Sequence, residues 1–191
     1  MKRIAVALLV VVAILIGQAL PKISSLWAQP AASRAPDAST SGQIYAKTYG
    51  GYEFRALSSD LTYGTQGTGM YATSVPIKSF RLALSLPNGA QVLTATIFLV
   101  DNDPVNNMAV HLISYTASLT TSANIATADT SALPNSPAVQ SISMSGSPLV
   151  TLDNNSHGYA ILYQPIITGT AHMLVGARLE YTLPASILAL P

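Results

Sequence analysis

Residues 86–107 read LPNGAQVLTATIFLVDNDPVNN. Pro87, Asn88 and Gly89 are turn chemistry: proline presets φ, and asparagine and glycine accept backbone angles that other residues resist. From Val92 to Val100 no charge interrupts the chain, and the run is short and rich in β-branched residues, which favours a strand over a helix. At a period of two, Leu93, Ala95, Ile97 and Leu99 share one face and Val92, Thr94, Thr96, Phe98 and Val100 the other. With both faces this apolar, the expectation is a central strand covered on both sides. The DNDPVNN that closes it reads as a wide turn, because Asp and Asn side chains bond to nearby backbone. The same residues make Asp101, Asp103 and Asn106 a candidate calcium site, since calcium takes six to eight oxygen ligands. No D-x-D-x-D-G loop with a closing Glu accompanies them, and Asp153-Asn154-Asn155-Ser156-His157-Gly158, with one carboxylate, reads as a turn as well.

Other runs repeat the pattern. In residues 79–86, Phe80, Leu82, Leu84 and Leu86 alternate with Arg81, Ala83 and Ser85 as a half-buried strand requires. Further strands are expected at 108–115, 139–144, 149–152, 159–163 and 173–183, and less regular ones at 44–49, 52–57 and 69–74. Eight to ten short strands separated by Gly, Pro, Asn and Asp, with no amphipathic helical stretch, predict an all-β, antiparallel two-sheet β-sandwich of jelly-roll type.

The N-terminus has another purpose. Lys2 and Arg3 precede a 13-residue apolar run, Ile4 to Ile16, which matches a secretory signal peptide and is short for a membrane span of about 20 residues. Cleavage fits after Ala19 or after Ala28. A signal peptide is expected over residues 1–28, a Pro/Ala/Ser-rich flexible linker over 29–42, the sandwich over 43–183 and an apolar tail over 184–191. The chain is accordingly expected to be secreted or held in the cell envelope.

Composition narrows the chemistry. Charged residues are 9% of the chain, against about 25% in an average soluble domain, while 21 Ser and 17 Thr supply polar surface. The absence of cysteine excludes disulfides, thiolate ligands and a cysteine nucleophile. His111, His157 and His172 have no metal-pair spacing, and neither a G-x-S-x-G elbow nor a P-loop is present. Glu53 and Glu180 are the only glutamates, and Glu180 shares a strand face with Arg178, which predicts an ion pair. After Ala28 there are six Lys/Arg and eight Asp/Glu, so no nucleic-acid footprint is expected.

The order GGYEFRALSSDLTY, FRLALSLPNGAQVLTATIFLVDND, VTLDNNSHGYAILY and LVGARLEYT resembles a group of small exported bacterial proteins with an LP-x-GA-x-V, DND and Y-T pattern. The resemblance covers about residues 50–182 and implies a β-sandwich; the biochemistry of that group is unassigned, and the matching residues are those of turns and strands. The leading expectation is a noncatalytic structural or adhesive module that self-associates, since few charges oppose contact between copies. The alternative is a carbohydrate-binding module using turn loops or the tyrosines that cluster at Tyr45, Tyr49, Tyr52, Tyr63 and Tyr71, whose rings suit sugar faces but also ordinary strand packing. A hydrolase with a dispersed site is a third reading.

Overall fold

In the computed structural model, residues 42–74, 79–116, 118, 121–184 and 187 are described. The expected signal peptide, nearly all of the linker and most of the tail lie outside the described residues. Among the described residues eleven strands, numbered in chain order, form two antiparallel sheets. The first holds β1 (Ile44–Gly50), β3 (Tyr63–Gln66), β4 (Gly69–Ala72), β6 (Gln91–Asp101), β9 (Ser136–Thr151) and β11 (His172–Thr182), in the order β3-β4-β11-β6-β9, with β1 also paired to β11. The second holds β2 (Arg55–Ala56), β5 (Phe80–Ala83), β7 (Ala109–Thr116), β8 (Ser122–Asp129) and β10 (His157–Gln164), in the order β2-β5-β10-β7-β8. The all-β sandwich is therefore the observed fold.

The inner faces meet in one apolar core. Met70, Ala95, Ile97, Leu99, Leu174 and Leu179 of the first sheet and Phe80, Val110, Leu112, Ile161 and Tyr163 of the second are almost wholly removed from solvent. Alternation along each strand produces this layer, since every second side chain points to the partner sheet.

Strand β6 departs from the expected alternation at one end. The ladders to β9 and β11 both slip beside Leu93, between Val92 and Thr94 on one side and between Glu180 and Tyr181 on the other. A bulged residue shifts the parity of what precedes it. Val92 is thereby fully buried and Leu93 only half-buried, which corrects the expected grouping of Leu93 on one face with Ala95, Ile97 and Leu99. Nor is the outer face covered: Thr94, Thr96 and Phe98 are partly exposed. Thr96 Oγ1 lies 3.0 Å from Ser143 Oγ there, and the expected Arg178–Glu180 ion pair spans 2.9 Å.

The Pro87-Asn88-Gly89 turn forms as read. Gly89 has φ of 77° and Ala90 N–H donates to Pro87 O at 3.1 Å, the arrangement that favours glycine at the third turn position. Asn88 Oδ1 then accepts Asn154 N–H at 2.7 Å, and Asn154 Nδ2 donates to Leu86 O at 2.9 Å. The second Asp/Asn cluster is thus a turn docked on the Pro87-Asn88-Gly89 turn.

Candidate functional site

The DNDPVNN segment does bring Asp101, Asp103 and Asn106 together, as a hydrogen-bonded turn. Asp103 Oδ1 accepts from Val105 N–H at 2.7 Å, Asn106 N–H at 2.8 Å and Asn106 Nδ2 at 3.2 Å. Donation by the Asn106 and Val105 amides holds the Asp103 carboxyl below its ordinary pKa. Asp101 points inward, accepting from Asp103 N–H at 3.2 Å and from the Thr130 hydroxyl. Both Asp101 oxygens and Asp103 Oδ1 thus accept from the protein's own N–H and O–H groups. Among the described residues no three of His, Cys, Asp and Glu are grouped as a metal site.

The five clustered tyrosines do not share a surface. Tyr49 is 4% exposed and belongs to the core, where burial raises its phenol pKa. Tyr45 stacks on Tyr181 with centroids 5.8 Å apart, and Tyr63 meets Phe80 edge-on at 6.1 Å. Tyr52 is exposed and donates its hydroxyl to Gly67 O. Tyr71 lies across Gly64, on the opposite face of the β3–β4 hairpin from Tyr63, because Tyr63 pairs with Ala72 and Gly64 with Tyr71. Alternation separates Tyr63 from Tyr71, whereas Tyr45 and Tyr49 share one face of β1 and differ in burial, and Tyr52 stands in the short 3-10 turn of residues Gly51–Glu53.

The outer face of the second sheet carries a different set. Cross-strand register aligns Arg81, Leu162, His111 and Thr127 in one row and Ala83, Ala160, Ile113 and Asn124 in the next. Gly158 and Tyr115 pair in the row after. A β-carbon on Gly158 would fall 2.3 Å from the Tyr115 ring, so the phenol end of the ring covers the glycine and a side chain there would displace it. A slip in the β7–β8 ladder at Leu112/Ile113 puts Asn124 and Thr127, three residues apart, on one face. Asn124 Nδ2 donates to Thr127 Oγ1 at 2.7 Å. His111 Nδ1 lies 2.9 Å from Thr127 Oγ1 and His111 Nε2 3.3 Å from Gln164 Oε1. The result is a partly exposed aromatic ring beside a fence of imidazole, amides and hydroxyl whose orientations the protein already fixes.

Of these residues, the sequence marks His111 only as one of three histidines without metal-pair spacing, and Tyr115, Asn124, Thr127 and Gln164 carry no local signal. The register that joins them spans residues far apart in the chain, and no local spacing announces it.

No protein-family model matches the chain, and no curated protein matches it in sequence. Solved structures do. A mutant family 29 carbohydrate binding module complexed with cellulohexaose shares 9% identity over 78% of this chain and 99% of that one, with a TM-score of 0.45. The low affinity xylan binding module CBM86 of Roseburia intestinalis shares 11% over 74% and 98%, with a TM-score of 0.42. The Podospora anserina GH26-CBM35 β-(1,4)-mannanase shares 10% over 73% of this chain, with a TM-score of 0.42. This chain spans 28% of the mannanase chain. The likeness is one of fold.

Proposed function

We propose that the chain is an exported, noncatalytic carbohydrate-binding domain whose ligand lies on the outer face of the second sheet. The carrying observation is the Tyr115 ring, its phenol end over Gly158, beside the fixed polar group of His111, Asn124, Thr127 and Gln164. A sugar ring has an apolar C–H face and hydroxyl edges. An aromatic face takes the first, and neutral donors and acceptors take the second. Because these side chains are already hydrogen-bonded in place, little rotamer entropy is lost when a ligand binds.

Affinity electrophoresis in gels containing soluble polysaccharides checks this reading. At least one polysaccharide is expected to retain the protein, and Tyr115→Ala is expected to weaken that retention about tenfold, or about 1.4 kcal/mol, with an unchanged melting temperature. Absence of retention in every gel, or identical retention of the variant, would overturn it.

One feature favours the structural, self-associating alternative. Strand β9 lies at the edge of the first sheet and runs for 16 residues without a charge. An uncharged edge offers unpaired backbone to a second copy. Under that reading the sedimentation coefficient rises with concentration and Ser143→Lys suppresses the rise; a monomer at every concentration removes it.

A further inference from the structure

Four lysines and arginines fall among the described residues: Lys47, Arg55, Arg81 and Arg178. Arg178 is paired with Glu180. The other three line a single cleft of about 310 Å³, together with Tyr49, Glu53 and Ser85, where the edge of the first sheet meets the edge of the second. In a chain with so few charges, that convergence is the largest concentration of positive charge among the described residues.

Each cation is placed by a different element. Lys47 projects from β1, its ammonium donating to Ser85 O at 2.8 Å and standing 5.1 Å from the Tyr49 ring centroid. Arg55 of β2 pairs directly opposite Arg81 of β5, and both side chains are exposed. Like charges at opposed positions repel, and neither guanidinium has a hydrogen-bond or ion-pair partner among the described residues. The one acidic group in the lining, Glu53, is engaged by Gly50 N–H at 2.8 Å. Strand β2 begins at Arg55, so none of the described residues pairs with β5 beyond Arg81 on this side and the cleft stays open.

We infer that this cleft binds a carboxylate, and, resting on the carbohydrate reading above, that the ligand is a uronate-bearing glycan. A guanidinium presents two parallel N–H donors that match a carboxylate, and two facing arginines with no counter-ion lose their mutual repulsion when an anion enters between them. The carboxylate of Glu53 in the same lining disfavours a dianion and leaves a monoanion as the better fit. Arg81 connects the two surfaces, since it lies in the same cross-strand row as Leu162 and His111. A glycan on the outer face therefore runs toward the cleft, where its acidic group is held.

The test uses isothermal titration with oligogalacturonate, its methyl ester and a neutral xylo-oligosaccharide, on the wild type, on Arg55→Gln/Arg81→Gln and on Tyr115→Ala. The free acid is expected to bind about tenfold or more tightly than the ester, with a preference that shrinks as salt rises and disappears in the double arginine variant. Both arginines are exposed, so thermal melts of that variant should match the wild type. Equal affinity for acid and ester, or a preference that survives the double substitution, overturns the inference; a sulfated dextran that outcompetes the uronate overturns the carboxylate assignment. Neutral-glycan binding that depends on Tyr115 without any acid preference sinks the cleft alone. Acid binding indifferent to Tyr115→Ala sinks the outer-face reading alone, and no binding of any sugar sinks both.

Discussion

Ile97→Ala is expected to destabilise the protein by about 2–5 kcal/mol, through lost burial and the cavity that remains. Ile97 is 0% exposed and sits at the middle of β6, between Ala177 of β11 and Ile142 of β9. Its neighbours on the inner layer are held by ladders on both sides, so collapse around the missing methyls is limited, which moves the cost toward the upper part of that range. Leu93→Ala should cost clearly less, because the bulge has turned Leu93 half out of the core while Val92 took the buried place. Urea unfolding of both variants decides the matter. A near-neutral Ile97→Ala would mean that the central strand is misplaced, and a Leu93→Ala as costly as Ile97→Ala would mean that β6 continues without the bulge.

That contrast shows what the residues of β6 disclose before folding is considered. Phe80, Leu82 and Leu179 alternate with smaller or polar neighbours and all three are core, as are Ile97, Leu99 and Ile161 at the same period, because burial on one face of a strand imposes a period of two. The bulge at Leu93 breaks that period with no Gly or Pro in β6 to mark it; Gly146 and Pro148 stand at the slip on the partner strand β9, far along the chain. Strand β8 was also hidden: its sequence SANIATAD has an exposed or half-exposed residue at every position, so no apolar alternation reveals an edge strand there. Residues 139–144 and 149–152, read as two strands, are one strand, β9. The candidate surfaces were less legible still. Tyr115 meets Gly158 through the β7–β10 register, and Lys47, Arg55 and Arg81 meet only because β1 and β2 close over one edge of β5. Both are consequences of strand order, which local chemistry does not encode. The tyrosine cluster is the converse case, near in sequence but divided by burial at Tyr49 and by alternation between Tyr63 and Tyr71.

Asp101→Ala is expected to cost about 3–5 kcal/mol, although Asp101 touches no candidate ligand surface. Asp101 at the end of β6, Thr130 just past β8 and His172 at the start of β11 are 3%, 1% and 0% exposed. The Asp101 carboxylate accepts from the Thr130 hydroxyl and lies 3.4 Å from His172 Nε2. Thr130 Oγ1 in turn accepts Met108 N–H at 3.0 Å. His172 Nδ1 accepts Ile166 N–H at 3.3 Å, which places the ring hydrogen on Nε2, facing Asp101 and Asn106 O at 3.1 Å. These groups staple the two sheets at one end, and each buried donor that loses its acceptor keeps its desolvation cost. Asp101→Asn should cost less than Asp101→Ala, since the amide oxygen retains one acceptor. Denaturant unfolding of the two variants, repeated with calcium and with EDTA, separates a structural staple from a metal site. A native-state calcium site filled at one hundred times its Kd would add about 2.7 kcal/mol to the wild type and nothing to Asp101→Ala. The expected result is the same wild-type midpoint in both buffers with the full loss in Asp101→Ala, because both Asp101 oxygens and Asp103 Oδ1 already accept from Thr130, Asn106 and the backbone amides of residues 103, 105 and 106.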